Sequence, residues 1–326
     1  MALSHLNFVK EKRQAVRVGN LTIVALPDQD ALMAHKHQYI QRGYKVSETP
    51  HFVVCRDQSL SRTYLFHTFQ QMNVDADLIC YVEQELSSLD IVSSERQFGA
   101  ALFAVMASTF PEPRHQPAIW QRFCLNTLIR LREETETPSL SVPTVSYIAP
   151  FGAIYRRIFE LSPGPKHLDV GCSFGFLPVL LAERSGTSDV IACDNNPDAV
   201  MFSKNLASAV QTHHTTFQLR DVLSADFPAL GYFDTVTAIH LLEHLSEQEL
   251  PIALMHLLQV TVRRLLIAVP YEETIQPLYG HRQTFTRDKL DHWGKWCIEQ
   301  SGNHGHHWCE DVMGGLLVVE RDAVES

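Results

Sequence analysis

The chain has 326 residues, with 27 Lys+Arg against 37 Asp+Glu, a formal net charge of −10 and 45% hydrophobic residues. That length and composition leave room for two domains with packed cores and exclude a disordered chain. The acidic balance argues against a nucleic-acid binder, whose usual footprint is a basic patch.

The first ten residues, Met1 to Lys10, contain no charged region leading into a long apolar stretch, so they do not read as a secretory signal. No segment reaches the roughly 20 apolar residues that span a bilayer, and Phe98 to Phe110 reads instead as a buried helix. A membrane partner is therefore not expected. The seven cysteines are odd in number, scattered and without a CxxC pair, which predicts reduced thiols in the cytoplasm.

In chain order, Leu21 to Leu26 is an apolar run stopped by Pro27 and predicts a strand. Asp28 is placed to cap a helix from Gln29 to Arg42, ended by Gly43. His51 to Arg56 reads as a second strand, and from Ser59 to about Glu134 the text reads as helical. Ser139 to Pro150, punctuated by Pro and Ser, reads as a connection or as a strand crossing over the next domain. The N-terminal part is thus predicted as a mainly helical α+β domain over residues 1–138, for substrate recognition or dimerisation. Residues 139–326 are predicted as the catalytic domain.

Beyond that point short strands alternate with helices. His167–Val170, Asp189–Cys193, Thr216–Leu219, Thr235–Ile239 and Arg264–Val269 are strand-like, and helices fill the spaces between most of them. This alternation predicts a doubly wound, Rossmann-like, mostly parallel sheet of seven strands. His306–Asp311 and Gly315–Glu320 flank Met313-Gly-Gly315 and predict an antiparallel hairpin at the C-terminal end.

The first of these strands runs into Gly171-Cys-Ser-Phe-Gly175 and then a helix. Glycines there let a ligand approach the backbone, and the helix start offers unpaired N–H groups. A dinucleotide fingerprint would need further glycines where Ser173 and Phe176 stand, and no Gly-Lys-Ser/Thr of a Walker loop is present. Asp194, at the end of the next strand, stands where an acid commonly holds the two hydroxyls of a ribose. Taken singly, Asp194 could equally be a helix cap and Asp221 a turn residue.

Asp169-Val-Gly-Cys-Ser-Phe-Gly175 resembles the first motif of class I S-adenosylmethionine-dependent methyltransferases. Cys193-Asp-Asn-Asn-Pro-Asp-Ala199 resembles the second, Arg220-Asp221-Val222 the third-strand motif, and Phe233 to Leu245 the fourth. The resemblance implies S-adenosylmethionine as cofactor. It places Asp169, Gly171, Cys172, Ser173 and Gly175 in the donor turn. Asp194 with Asn195 falls at the ribose, Asp221 with Val222 at the adenine, and His240 beside them.

Methyl transfer to a hydroxyl requires that the acceptor lose its proton, by a general base or a bound metal. His240, Glu243 and His244 fall at i, i+3 and i+4 and would share a helical face if the helix has begun. His281 comes from the loop after the fifth strand of the catalytic sheet. His244, His281 and His240 are the catalytic candidates. Glu243, His244 and His281 also resemble part of the divalent-metal set of RNA 3′-terminal 2′-O-methyltransferases of the Hen1 type, with His240 in place of that family's first acid. A divalent metal at this site stands level with a single histidine base, His244 or His281, and is not favoured over substrate positioning or plain helix capping.

The His-rich stretch Asn303 to Glu310 puts His306 and His307 on opposite faces of a strand, where they do not share an ion. The Pro-punctuated segment Val269 to His281 is similar in outline to small-molecule and sugar O-methyltransferases, including the type acting on mycofactocin oligosaccharides. Tyr271, Glu272 and Tyr279 are its candidate acceptor contacts. Tyr147 and Tyr155 are candidates to line the cofactor, with core packing the blander alternative.

The acceptor expected is a small metabolite or glycan, with RNA as the alternative and a homodimer allowed. Residues 1–150 hold 14 Lys+Arg and 15 Asp+Glu, whereas 151–326 hold 13 and 22. The acid excess therefore sits in the catalytic half, where it repels an RNA backbone.

Overall fold

The computed structural model describes residues 15–322 except 58, 60, 113–114, 138–144, 185 and 188. The N-terminal reading of Met1 to Lys10, the boundary at 138/139 and the connection over 139–144 lie outside the described residues. The chain divides into Met1–Asn126 and Thr127–Ser326, and the division falls inside a long helix.

The first unit is built on five strands. They are β1 (Ala15–Val18), β2 (Leu21–Ala25), β3 (Lys45–Glu48), β4 (Val53–Arg56) and β5 (Thr63–His67), in the order β1-β2-β5-β4-β3. Only the β2–β5 pair is parallel. Four helices accompany them: α1 (Gln29–Gln41), α2 (Asp77–Ser88), α3 (Glu95–Ser108) and α4 (Gln116–Glu136), the last crossing the division. Asp28 caps α1 as its sequence suggested, accepting from the Ala31 N–H at 2.8 Å.

The reading of Ser59 onward as helical is corrected at β5. Thr63-Tyr-Leu-Phe-His67 lies between two strands and is covered on both faces, so the polar/apolar alternation that marks a half-exposed strand is missing. β1 and β3, four residues each at the sheet edges, were too short to be read.

The second unit opens with α5 (Ile148–Leu161). There follow β6 (Lys166–Val170), α6 (Phe176–Ala182), β7 (Asp189–Asp194), α7 (Pro197–Ala209), β8 (Thr215–Leu219), β9 (Phe233–Ile239), α8 (Leu250–Val260) and β10 (Thr261–Val269). α9 (Arg287–Gln300), β11 (His306–Asp311) and β12 (Gly315–Glu320) complete it. The seven strands lie in the order β11-β12-β10-β9-β6-β7-β8. Five run parallel, while β12 is antiparallel to β10 and to β11. This is the predicted sheet, with the predicted hairpin.

The central strands read as continuous apolar runs because helices cover both faces. Leu265 to Val269 of β10 are buried throughout, and Leu250, Leu254 and Leu257 of α8 pack into the same core. Each such leucine contributes about 2 kcal/mol by leaving water. The strand order reverses at β6, and in an open parallel sheet the crevice beyond the strand ends at that reversal is where ligands bind. The ends that matter are Val170, Asp194, Leu219, Ile239 and Val269.

All seven cysteines are free. Among the described residues no helix is long and apolar enough to cross a membrane.

Candidate active site

The turn after β6 depends on three residues in the left-handed region: Gly171 (φ 76°), Ser173 (φ 48°) and Gly175 (φ 79°). Gly171 and Cys172 donate their N–H groups to the Cys193 carbonyl at 2.8 and 3.0 Å, which fastens the turn to the end of β7. At Gly175 a side chain is excluded, since a Cβ there would lie 2.6 Å from Ser203 Cβ and 2.9 Å from the Phe217 ring. Burial pushes the Cys193 thiol up to about 12 and the Cys172 thiol higher still, so neither is a nucleophile at neutral pH.

Asp194 spans two loops. Its carboxylate accepts from the Ser173 N–H at 2.9 Å and the Asn196 N–H at 2.8 Å. Asn196, not Asp194, caps α7, accepting from the Asp198 N–H. The Asp194 carboxylate is thus fixed between the glycine turn and the next loop, beside exposed Asn195. Asp221 is exposed and accepts from the Leu223 N–H at 2.9 Å, with Val222 buried behind it.

Asp169 is buried at the end of β6 and accepts a 2.6 Å hydrogen bond from the Thr237 hydroxyl of β9. Burial raises its carboxyl to about 7, against the Thr237 bond, which lowers it.

The helical face expected for His240, Glu243 and His244 is corrected. His240 has φ 51°, and its N–H donates to the Ala268 carbonyl, so it still belongs to the end of the sheet. Only Leu242–His244 form a short 3₁₀ turn. Even so, His240 Nδ1 lies 3.2 Å from Glu243 Oε1. The contact is not aligned as a hydrogen bond. Both oxygens of the fully buried Glu243 carboxylate lack a hydrogen-bond partner among the described residues, as does His240 Nε2.

The loop after β10 brings His281 to this place. Gln283, buried and unread in the sequence, donates from Nε2 to the carbonyls of Leu242 and Leu245 at 3.0 and 2.7 Å. The Arg282 N–H donates to the Glu243 carbonyl at 2.8 Å. These bonds tie the His281 loop to the 3₁₀ turn. The His244 and His281 rings meet edge to face at 4.9 Å. One ligand atom each from Glu243, His244 and His281 lies within 4.8 Å of the others.

Of the expected acceptor contacts, Glu272 is engaged with His281 Nδ1 at 2.8 Å. Tyr279 packs 5.8 Å from the His281 ring, and Tyr271 is exposed. Tyr155 is buried. Tyr147 stacks on Phe151 at 4.3 Å, and Phe151 lies 4.9 Å from the His240 ring. Phe151 carried no sequence signal beyond the apolar face of α5. His306 lies 3.9 Å from Glu320 and His307 3.0 Å from Asp291, on separate partners as the strand alternation required.

Comparison with known proteins bears on this geometry. Residues 168–263 match the family model described as a methyltransferase domain. A ubiquinone biosynthesis O-methyltransferase of Azotobacter vinelandii is 32% identical over 100 residues, 31% of this chain and 40% of that protein. Its namesake in Xanthomonas campestris pv. campestris (strain B100) is 38% identical over 87 residues, 26% of this chain and 34% of that protein. The chain therefore spans well under half the length of these relatives. Among solved structures, the methyltransferase domain of bacterial CtHen1-C is similar at 17% identity, covering 53% of this chain and 96% of that one, with a TM-score of 0.44.

The matched residues 168–263 run from β6 to β10 and contain the glycine turn with its acid on the next strand, so this stretch is similar to a methyltransferase domain.

Proposed function

We propose that the protein transfers the methyl group of S-adenosylmethionine to a hydroxyl of a small metabolite or glycan. The observation that carries this reading is the buried Glu243 carboxylate, without a hydrogen bond, beside His244 and His281. A hydroxyl acceptor needs a group that takes its proton, whereas the sulfonium leaving group needs no help. The relatives' being ubiquinone biosynthesis O-methyltransferases supports a hydroxyl acceptor.

In this reading Gly171, Cys172, Ser173 and Gly175 give the donor close access to the backbone. Asp194 holds the ribose hydroxyls with its remaining lone pairs, next to Asn195. Asp221 and Val222 flank the adenine, Asp169 stands behind the turn, and His240 borders the donor. His244 or His281 takes the acceptor proton.

Glu243, His244 and His281 also fit a divalent cation: one carboxyl group without a hydrogen bond among the described residues, and two imidazoles. Such an ion supplies Lewis acidity, lowering the pKa of a bound hydroxyl. RNA ends would present the same kind of hydroxyl, but the acid excess of this half opposes a polyanion. The N-terminal unit is assigned to acceptor recognition or dimerisation.

The test is calorimetry of the full chain with S-adenosylmethionine. It is followed by transfer of tritiated methyl to pools of phenols, sugars and short RNA, with and without chelator. Label in an O-methyl product, lost in His281→Ala, supports the proposal. Failure to bind the cofactor, or transfer only to nitrogen, refutes it.

A further inference from the structure

The loop after β10 holds a second carboxylate whose placement is informative. Glu272 Oε2 lies 2.8 Å from His281 Nδ1, and the two side chains are only 16% and 8% exposed. A carboxylate offers lone pairs only, so the pairing it favours has the hydrogen on Nδ1 and the ring's lone pair on Nε2. His244 has a related arrangement, with Nδ1 3.4 Å from the Gly280 carbonyl. Gly280 has φ 77°, a conformation that glycine supplies without strain.

Histidines that bind a metal or take a proton commonly donate their other N–H to a carboxylate or carbonyl, which fixes ring and tautomer. A carboxylate that contacts an acceptor would instead stand open to the crevice. We propose that Glu272 is a positioning residue that holds His281 as the Nδ1–H tautomer, leaving Nε2 as the nitrogen available beside Glu243 and His244. The inference rests on the reading of that cluster as the proton-taking or cation-holding site, but concerns the metal-free chain first.

The experiment is long-range proton–nitrogen NMR of the full metal-free chain at about pH 9, where imidazoles are neutral. The His281 signals are identified by their absence in His281→Asn. The expected result is Nδ1–H in the native chain and in Glu272→Gln, whose amide oxygen still accepts, and a shift to the commoner Nε2–H in Glu272→Leu. Native His281 in the Nε2–H form overturns the proposal, whether or not the leucine variant folds. So does a folded leucine variant whose tautomer is unchanged.

Titration with Mn²⁺ alone, followed by the EPR signal of free ion, separates this proposal from the cation reading. A loss of roughly 10–100-fold in Mn²⁺ affinity in Glu272→Leu, restored in Glu272→Gln, supports Glu272 as a partner to a metal-holding His281. No Mn²⁺ binding by the native chain refutes the cation reading, while the tautomer shift still supports the positioning role of Glu272.

Discussion

Glu243 Oε1 and His240 Nδ1 approach to 3.2 Å without forming a hydrogen bond, and the buried carboxylate has no other partner among the described residues. A buried polar group left without a hydrogen bond costs about 1–3 kcal/mol in the metal-free chain. Glu243→Met replaces the unpartnered carboxyl group by an apolar side chain of similar length. We expect its melting temperature to rise by about 2–4 °C for each kcal/mol relieved, and the thermal shift on adding Mn²⁺ to vanish. Scanning calorimetry with and without the ion checks both; a lower melting temperature without ion contradicts the account.

Asp169 gives the second unit a pH dependence of definite sign. Its carboxyl is raised by burial to about 7 from the ordinary 3.8, so the folded chain binds the proton more tightly than the unfolded one. Its contribution to stability therefore falls as pH rises from about 4 to about 7 and is level above that. Asp169→Asn, measured without cofactor by urea unfolding, should gain on the native chain by a few kcal/mol, roughly, between pH 5 and pH 8. A gap that does not widen across that range rules the assignment out.

His67 produces the opposite slope in the first unit. It is fully buried, its Nδ1 accepting from the Phe69 N–H and its Nε2–H donating to Ser108 at 2.8 Å. Burial lowers its pKa to about 3. The unfolded chain binds the proton more tightly, so stability is complete above about 6.5 and is lost as pH falls toward 3. Going from pH 6.5 to 5 should cost about 2 kcal/mol. Hydrogen exchange at the Leu65 amide reads this, and His67→Gln should flatten the dependence.

Asp194→Ala removes the acceptor shared by the Ser173 and Asn196 amides and, in the proposed role, the ribose partner. Charged hydrogen bonds of this kind contribute about 1.5–3 kcal/mol each. Calorimetry should show S-adenosylmethionine affinity reduced at least tenfold, with the fold intact by circular dichroism. Unchanged affinity would exclude the ribose assignment.

Gly175→Ala meets both a left-handed backbone and overlap with Ser203 and Phe217. Strain of about 1 kcal/mol and overpacking of about 1–3 kcal/mol should add. Urea unfolding is expected to show that loss. Gly171→Ala, whose Cβ meets only the movable Leu241 side chain at 3.1 Å, should lose less.

The proposed donor half of the candidate site was legible as backbone geometry, because short-range chemistry writes it. Left-handed turns call for Gly171 and Gly175, and the alternation of strands and helices fixes the parallel sheet that sets Asp194 one strand along. The acceptor half was legible only as a set of residue types. Glu243, His244 and His281 were named, yet the helix invoked to join them is absent, because His240 remains bound to the end of the sheet. Their convergence depends on Gln283 and Arg282 bonding back to the turn some 40 residues earlier. No local pattern encodes that. The same holds for β5, whose burial on both faces erases its period.

By itself, then, the sequence determined the α/β class, the hairpin, the glycine turn and the acids that follow the strands, since each follows from backbone geometry within a few residues. Tertiary structure alone decided which groups are dry and which pair: Thr237 with Asp169, Glu272 with His281, and Glu243 with no hydrogen-bonding group among the described residues. Burial and long-range pairing set the charge and tautomer of a side chain, and both depend on segments distant in the chain that only folding brings together.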